Sequence, residues 1–181
     1  GGNMVELVVT GANFDEASAA AHDYAEETGA TIIEPFAARD TIVGQGPVAA
    51  EILSQLSAMG KSPDTIVVPV GGGGLISGIL SYLADMSPRT AVVGVEPAGA
   101  PSLNAALKAE KPVTLDAVDP FVDGAAVKRI GDINYQIIEK NLGRLHPLVV
   151  SEGAVCTEMI ELYQNEGITA EPAGALSVTA L

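Results

Sequence analysis

The sequence predicts an α/β protein built on an open, twisted, mostly parallel sheet with helices on both faces. Segments 65–70 (TIVVPV) and 91–95 (AVVGV) are apolar at nearly every position, which is typical of parallel strands that are buried on both faces. Between them, residues 75–86 have the length of a helix and are apolar on most sides. Together, the three segments predict one βαβ unit.

The chain before this unit is expected to form two short strands with a helix between them. Residues 5–9 (VELVV) and 31–34 (TIIE) are the predicted strands. Asn13, followed three residues later by Glu16, predicts a capping box that opens the helix, and Gly29 is its predicted end.

A loop of small and polar residues is expected from Pro35, followed by a helix from about Pro47 to Met59. The later predicted elements are helices at 102–108 and 132–142, a strand at 147–150, a helix capped by Ser151 and stopped by Gly167, and a last helix that begins at Pro172. Cys156, among apolar helix positions, is expected to be a small core residue.

Composition limits the possible partners. The 181 residues include 23 acidic and 9 basic ones, so the net charge at pH 7 is −14. Such a surface repels phosphate backbones and anionic lipids, and we therefore expect no nucleic-acid partner and no membrane partner. The single cysteine excludes an internal disulfide and suits a reducing cytoplasm, where we expect the protein to be located.

Four consecutive glycines, Gly71 to Gly74, join the first strand of the βαβ unit to its helix. A turn of this kind places the first N–H groups of the helix at the carboxyl edge of a parallel sheet, where ligands bind. Those N–H groups lack partners within the helix, and the helix dipole adds partial positive charge. The loop therefore predicts a site for an anion, held by main-chain groups.

Two other interpretations of the loop remain open from the residues alone. One is that it serves only close packing of the strand against the helix. The other is a dinucleotide site. Gly72 and Gly74 satisfy the first half of the motif G-x-G-x-x-G/A, and Glu96 ends the next strand, near the place expected for an acid that binds ribose. Ser77, however, stands at the third glycine position of that motif. A Walker A loop is excluded because Ile79 stands where that motif requires lysine.

Several motifs together resemble the biosynthetic threonine dehydratases, which are pyridoxal-phosphate enzymes of the tryptophan synthase β-like group. The motifs occur in family order and are spread over essentially the whole chain: TGANFDEA at 10–17, GQGPVAAEIL at 44–53, VPVGGGGLISG at 68–78, VGVEPAGAPS at 93–102, FVDGAAVKRIGD at 121–132 and AEPAGAL at 170–176. The resemblance implies the tryptophan synthase β-like fold, here incomplete, and pyridoxal 5′-phosphate as the cofactor.

The resemblance also implies the residues that bind this cofactor. Its phosphate would be held by the main-chain N–H groups of Gly71, Gly72, Gly73, Gly74 and Leu75. Gly124 would present backbone to the cofactor ring, and Glu171 would line the site from the far side. Glu171 has an alternative interpretation as a first-turn acid that the helix dipole favours.

No metal site is predicted. The related serine racemases bind a metal through residues that correspond here to Glu96, Ala100 and Ser102. Serine replaces the charged aspartate of that set, which removes a ligand that divalent cations prefer and leaves only a weak monovalent site open.

No catalytic residue is predicted in this chain either. The family's Schiff-base lysine lies in an S-x-K-x-R-G motif, and none of the lysines here has that context: Lys61, Lys108, Lys111, Lys128 and Lys140. We therefore expect the chain to be an internal part of the enzyme that is inactive alone.

By the same resemblance, residues 1–37 would complete a small inserted domain and residues 38–181 would form much of the large cofactor-binding domain. The full enzyme would convert L-threonine to 2-oxobutanoate and ammonia in isoleucine biosynthesis, as a homo-oligomer (dimer or tetramer). A serine dehydratase or racemase of the same group, and a dinucleotide-binding domain of an oxidoreductase, are the alternatives. The sequence leaves threonine against serine preference open.

Overall fold

The structure, a computed structural model, describes residues 4–12 and 14–181. The chain divides into two compact units, Gly1–Ile33 and Glu34–Leu181. The predicted boundary between two domains after residue 37 stays a prediction.

The first unit contains one helix, α1 (Phe14–Thr28), among its described residues. The helix ends where the sequence predicts, at Gly29, which adopts a φ of +72°. Near its start, the Glu16 carboxylate accepts a hydrogen bond of 2.8 Å from the Ala12 N–H. The predicted cap itself, Asn13, lies outside the described residues.

The two strands predicted in this unit are wrong. Residues 5–9 and 31–34 carry no strand pairing, and most of their apolar side chains are exposed, Val5 to 89% and Ile33 to 86%. A β-strand is stabilised by its neighbour in the ladder, and no described segment pairs with either one. The pattern of residues alone therefore could not predict whether a partner strand is present.

The second unit alternates helices and strands. Its elements are α2 (Arg39–Ala58), β1 (Thr65–Pro69), α3 (Gly74–Met86), β2 (Ala91–Pro97), α4 (Ser102–Ala109), a 3₁₀ segment (Pro120–Ala125), α5 (Asp132–Lys140), β3 (Leu145–Val150), α6 (Glu152–Glu166) and α7 (Pro172–Thr179). No helix within the described ranges is long and apolar enough to cross a membrane.

The sheet confirms the predicted fold class. Within the described residues it has three strands, all parallel and in the order β1–β2–β3, so Ile66 pairs with Val92 and Val92 with Leu145. Alternate side chains of β1 enter different cores: Val68 packs with residues of α2, α3, α4 and α5, whereas Val67 packs with residues of α6, α7 and the 3₁₀ segment. Helices therefore cover both faces of an open sheet.

Helix α2 begins eight residues before the predicted start at Pro47, because Arg39 is its first residue. Proline inside a helix removes one hydrogen bond, and this cost favoured the sequence-based prediction. Close packing against α3 offsets it: a Cβ built on Gly46 would lie 3.8 Å from the Gly78 carbonyl oxygen, and one built on Gly78 would lie 2.6 Å from that of Ile42. Contacts distant in sequence thus hold the first turns of α2.

The core position predicted for Cys156 is also wrong, because this side chain is exposed. Val155 alone of the residues of α6 is fully buried, while Ile160 and Tyr163 remain 51% and 66% exposed. The apolar residues of α6 extend around the helix and therefore do not mark its buried side.

Candidate cofactor site

The glycine loop lies at the carboxyl edge of the sheet, between β1 and α3. Pairing continues one residue beyond β1, where the Val70 N–H donates to the Val95 carbonyl at 2.8 Å. The chain then turns through the glycines, and Gly73 precedes α3 with a φ of +90°, in the left-handed region that favours glycine. Gly72, Gly73 and Gly74 are buried.

The carbonyl groups of the loop bind to the protein around it. The Gly131 N–H donates to the Gly72 carbonyl at 3.1 Å, and the Ser77 N–H donates to that of Gly73 at 3.1 Å. The Ser102 hydroxyl donates to the Gly71 carbonyl at 3.4 Å. These three hydrogen bonds hold the loop in place through its carbonyl oxygens.

The N–H groups of the loop, in contrast to its carbonyl groups, make no hydrogen bonds to other described residues. Within the part of the chain that the structure describes, none of the six consecutive N–H groups of residues 71–76 donates to a protein acceptor. Four of these groups, those of residues 73–76, belong to the N-cap and first turn of α3, where the helix dipole adds partial positive charge. Unpaired main-chain donors at a buried helix N-terminus form a site for an anion.

The ring of Phe36 lies directly against the loop. A Cβ built on Gly72 would overlap this ring, and one built on Gly74 would lie 3.0 Å from the Phe36 Cβ. Close packing therefore also requires glycine at these two positions. Packing and anion binding are compatible here, because Phe36 meets the Cα atoms and leaves the N–H groups without acceptors.

The structure brings together the three parts of the predicted site. A Cβ built on Gly71 would lie 3.4 Å from the Gly124 carbonyl oxygen, and one built on Gly124 would lie 3.5 Å from Oε1 of Glu171. Gly124 and Glu171 are exposed, while the loop beside them is buried. The glycine loop, the 3₁₀ segment and the N-terminus of α7 thus meet at one edge of the sheet.

Glu96, a candidate for ribose or metal binding, has another role in the structure. Its carboxylate is fully buried and caps the N-terminus of α4, where it accepts from the Leu103 N–H at 2.5 Å and from the Asn104 N–H and side-chain amide at 2.9 and 2.8 Å. Burial raises the pKa of Glu96, and these hydrogen bonds oppose the rise. Both oxygens are engaged within the protein.

The other residues considered from sequence do not form a metal-binding cluster. Among residues 4–12 and 14–181, no group of three or more histidine, cysteine, aspartate or glutamate side chains could hold a metal ion. Ser102, in the position where racemases have an aspartate, donates instead to the Gly71 carbonyl.

Two residues at this edge were missed by sequence reasoning, Phe36 and Asn134. Phe36 is one of three phenylalanines in the chain and stands in a loop of small residues, which is the only signal it offered. Asn134 occupies the first turn of α5 and is fully buried. A buried asparagine cannot be recognised from spacing alone, since asparagine at a helix start is most often a solvated cap.

Comparison with known proteins places the chain in a family. The pyridoxal-phosphate dependent enzyme family matches residues 1–181, so the chain belongs to that family. Over all 181 residues it is 70% identical to the biosynthetic L-threonine dehydratase IlvA of Corynebacterium glutamicum and 55% identical to that of Mycobacterium tuberculosis, covering 42% of each. The chain thus spans about two fifths of the length of these curated relatives.

Solved structures agree with this assignment. The processed form of threonine deaminase isoform 2 from Solanum lycopersicum matches with a TM-score of 0.85 and 32% identity, over 95% of this chain and 48% of that one. The likeness confirms the predicted fold and the predicted family.

Proposed function

We propose that the protein is a pyridoxal-phosphate dependent threonine dehydratase, which converts L-threonine to 2-oxobutanoate and ammonia. The observation that carries the proposal is the row of unpartnered N–H groups at residues 71–76, in a chain that belongs to the pyridoxal-phosphate family. The names of the relatives support threonine as the substrate. Serine is the expected second substrate.

The loop suits the phosphate of this cofactor. A phosphate dianion accepts several hydrogen bonds, and each charge-assisted bond contributes about 1.5–3 kcal/mol. The loop Gly71–Leu75 contains no lysine or arginine, so main-chain dipoles supply the attraction in a chain of net charge −14. The main-chain N–H groups of Gly71, Gly72, Gly73, Gly74 and Leu75 would hold the phosphate.

When bound, the cofactor supplies an electron sink for the electron pair left at the substrate Cα after proton removal. The residues of this chain orient the cofactor. Gly124 would lie beside the ring, and the carboxylate of Glu171 would border the site on the other side. The ring of Phe36 would form an apolar wall behind the phosphate. This wall would exclude water and so strengthen the attraction between the main-chain N–H dipoles and the phosphate.

We propose further that residues 1–37 complete a smaller domain, and that residues 38–181 belong to the large one. None of the five lysines hydrogen-bonds the glycine loop, and four of them, all except Lys128, are exposed. The Schiff-base lysine would then come from outside this chain, which alone would be inactive. We place the enzyme in the cytoplasm, consistent with the single cysteine among these 181 residues, and we expect it to be a homo-oligomer.

The test replaces Gly72 with alanine in the intact protein. The added Cβ overlaps the ring of Phe36 and displaces the loop, so we expect pyridoxal phosphate affinity and 2-oxobutanoate formation to fall together, by about a hundredfold or more. Affinity is measured by calorimetry, and turnover by the 2-oxobutanoate released from L-threonine. Gly44→Ala is the matched control, because a Cβ there meets nothing within 4 Å.

Full pyridoxal phosphate affinity in the folded Gly72→Ala variant would contradict the assignment of the loop. Tight binding of NAD by the wild-type protein, with no response to pyridoxal phosphate, would instead favour the dinucleotide alternative. That alternative has lost support, because the Glu96 carboxylate is engaged with α4.

A further inference from the structure

Asn134 connects three segments around the glycine loop. Its side-chain Nδ2 donates to the Phe36 carbonyl at 2.9 Å, across 98 residues of sequence. Its own carbonyl accepts from the Ser77 hydroxyl of α3 at 3.4 Å. The Asn134 side chain is fully buried, and its partner Phe36 is half-buried.

The same residue borders the loop directly. A Cβ built on Gly73 would lie 3.1 Å from the Asn134 Cβ, and one built on Gly131 would overlap the Asn134 Oδ1. Gly131 in turn donates its N–H to the Gly72 carbonyl. Asn134 therefore contacts the loop on one side and reaches Phe36, which covers Gly72 and Gly74, on another.

Stability alone does not account for asparagine at this position. The Asn134 Oδ1 is buried and has no hydrogen-bond partner among the described residues. A buried acceptor without a partner is costly, and an apolar residue of the same size would avoid that cost. A buried polar atom without a partner therefore needs an explanation, and a functional role is one such explanation.

We propose that Asn134 is a positioning residue for the glycine loop. By its hydrogen bond to the backbone carbonyl of Phe36, Asn134 keeps the loop in the conformation that binds phosphate. This inference rests on the proposed function. The Asn134 amide fixes the Phe36 carbonyl, which keeps the ring on Gly72 and the Phe36 Cα and Cβ beside Gly74. The loop is then held between this ring and the N-terminus of α5, so its N–H groups converge before the ligand binds.

The test uses Asn134→Ala and Asn134→Leu in the intact protein. The leucine variant keeps the branched shape of the side chain and removes the unpartnered Oδ1, so its fold is expected to survive. Both variants lose the bond to Phe36. We expect the Kd for inorganic phosphate and for pyridoxal phosphate to rise about tenfold, measured by calorimetry on the cofactor-free protein.

A second readout separates positioning from general damage. At saturating pyridoxal phosphate, we expect kcat and the KM for L-threonine to return to wild-type values, since Asn134 acts on the cofactor loop alone. Asn141→Ala is the matched control. Asn141 donates from its Nδ2 to the Ile137 carbonyl at 2.8 Å, a bond of the same kind at the other end of α5.

The possible outcomes distinguish the two proposals. If the wild type binds neither inorganic phosphate nor pyridoxal phosphate, the proposed function fails. If the wild type binds both and Asn134→Leu binds them with equal Kd, the positioning role fails and the function stands. Loss of the fold in both variants, under conditions where Asn141→Ala stays folded, would overturn positioning in favour of a purely structural role.

Discussion

At the end of β2, Glu96 shows how a single residue can be engaged by the fold in place of a ligand. Its carboxylate meets the free N–H groups at the start of α4 and the side chain of Asn104. Helix N-termini favour negative charge, yet burial disfavours it, and here burial dominates and raises the pKa. The residue ties β2 to α4 and lies next to the hydroxyl of Ser102, which anchors the loop.

The raised pKa predicts a particular pH dependence. A carboxyl that binds its proton more tightly in the folded state contributes most to stability below its unfolded pKa, near 4.5, and loses that contribution as pH rises through the folded pKa. Glu96→Gln lacks this titration. We therefore expect the free energy of unfolding of the wild type to fall relative to that of Glu96→Gln as pH rises above 4.5.

Urea denaturation of both proteins across this pH range measures the difference. A wild-type advantage that grows with pH would mean that the folded state lowers the pKa of Glu96. In that case the hydrogen bonds from α4 would outweigh burial.

At the scale of elements, the contact between α2 and α3 depends on small residues. Gly46 and Gly78 lie where the two helices approach, and the Gly78 position has no room for a Cβ beside the Ile42 carbonyl and the Gln45 side chain. Glycine weakens an isolated helix, so these residues are explained by packing and not by helix propensity. This contact also holds the segment that precedes Pro47, close to Phe36.

We expect Gly78→Ala to lower the free energy of unfolding by about 1–3 kcal/mol, because its Cβ would lie 2.6 Å from the Ile42 oxygen. The gain in helix propensity, up to about 1 kcal/mol, does not offset this overlap. Thermal unfolding followed by circular dichroism measures the change.

Gly44→Ala in α2 is the control for this prediction. Nothing lies within 4 Å of the built Cβ at Gly44, so the propensity gain should appear there without overlap. Equal stabilisation by Gly78→Ala and Gly44→Ala would show that the two helices separate easily, and would contradict the packing argument.

For the whole molecule, the excess of acidic residues is the dominant electrostatic feature. A net charge of −14 at pH 7 opposes the compact state through self-repulsion, and salt screens that repulsion. We expect the Tm at pH 7 to rise by several degrees when NaCl is raised from about 10 mM to about 0.3 M. Near the isoelectric point of 4.3 the same addition should have little effect.

Differential scanning calorimetry at the two pH values measures this effect. A Tm at pH 7 that falls with NaCl would indicate that attractive ion pairs prevail over repulsion. Such pairs are not prominent in the described chain: Arg129 and Asp132, 2.6 Å apart, are 40% and 65% exposed, and exposed pairs contribute little.

Local patterns in the sequence were sufficient for the centre of the fold. The apolar runs at 65–70 and 91–95, the helix between them and the glycine turn carry their structural information in adjacent residues. Their spacing and side-chain types therefore predicted parallel strands and α3 without any long-range contact, while anion binding at the glycine turn stays a prediction. The ordered motifs further indicated the family.

Tertiary structure alone decided the remainder. The first turns of α2 pack against Gly78, and Phe36 packs against the glycine loop. The Phe36 carbonyl in turn accepts a hydrogen bond from Asn134, which is 98 residues away in sequence. Residues 5–9 and 31–34 have the composition of strands but no described partner to pair with. The periodicity of a segment indicates only its local preference for helix or strand. These outcomes depend instead on the free energy of contacts between segments that come together only on folding.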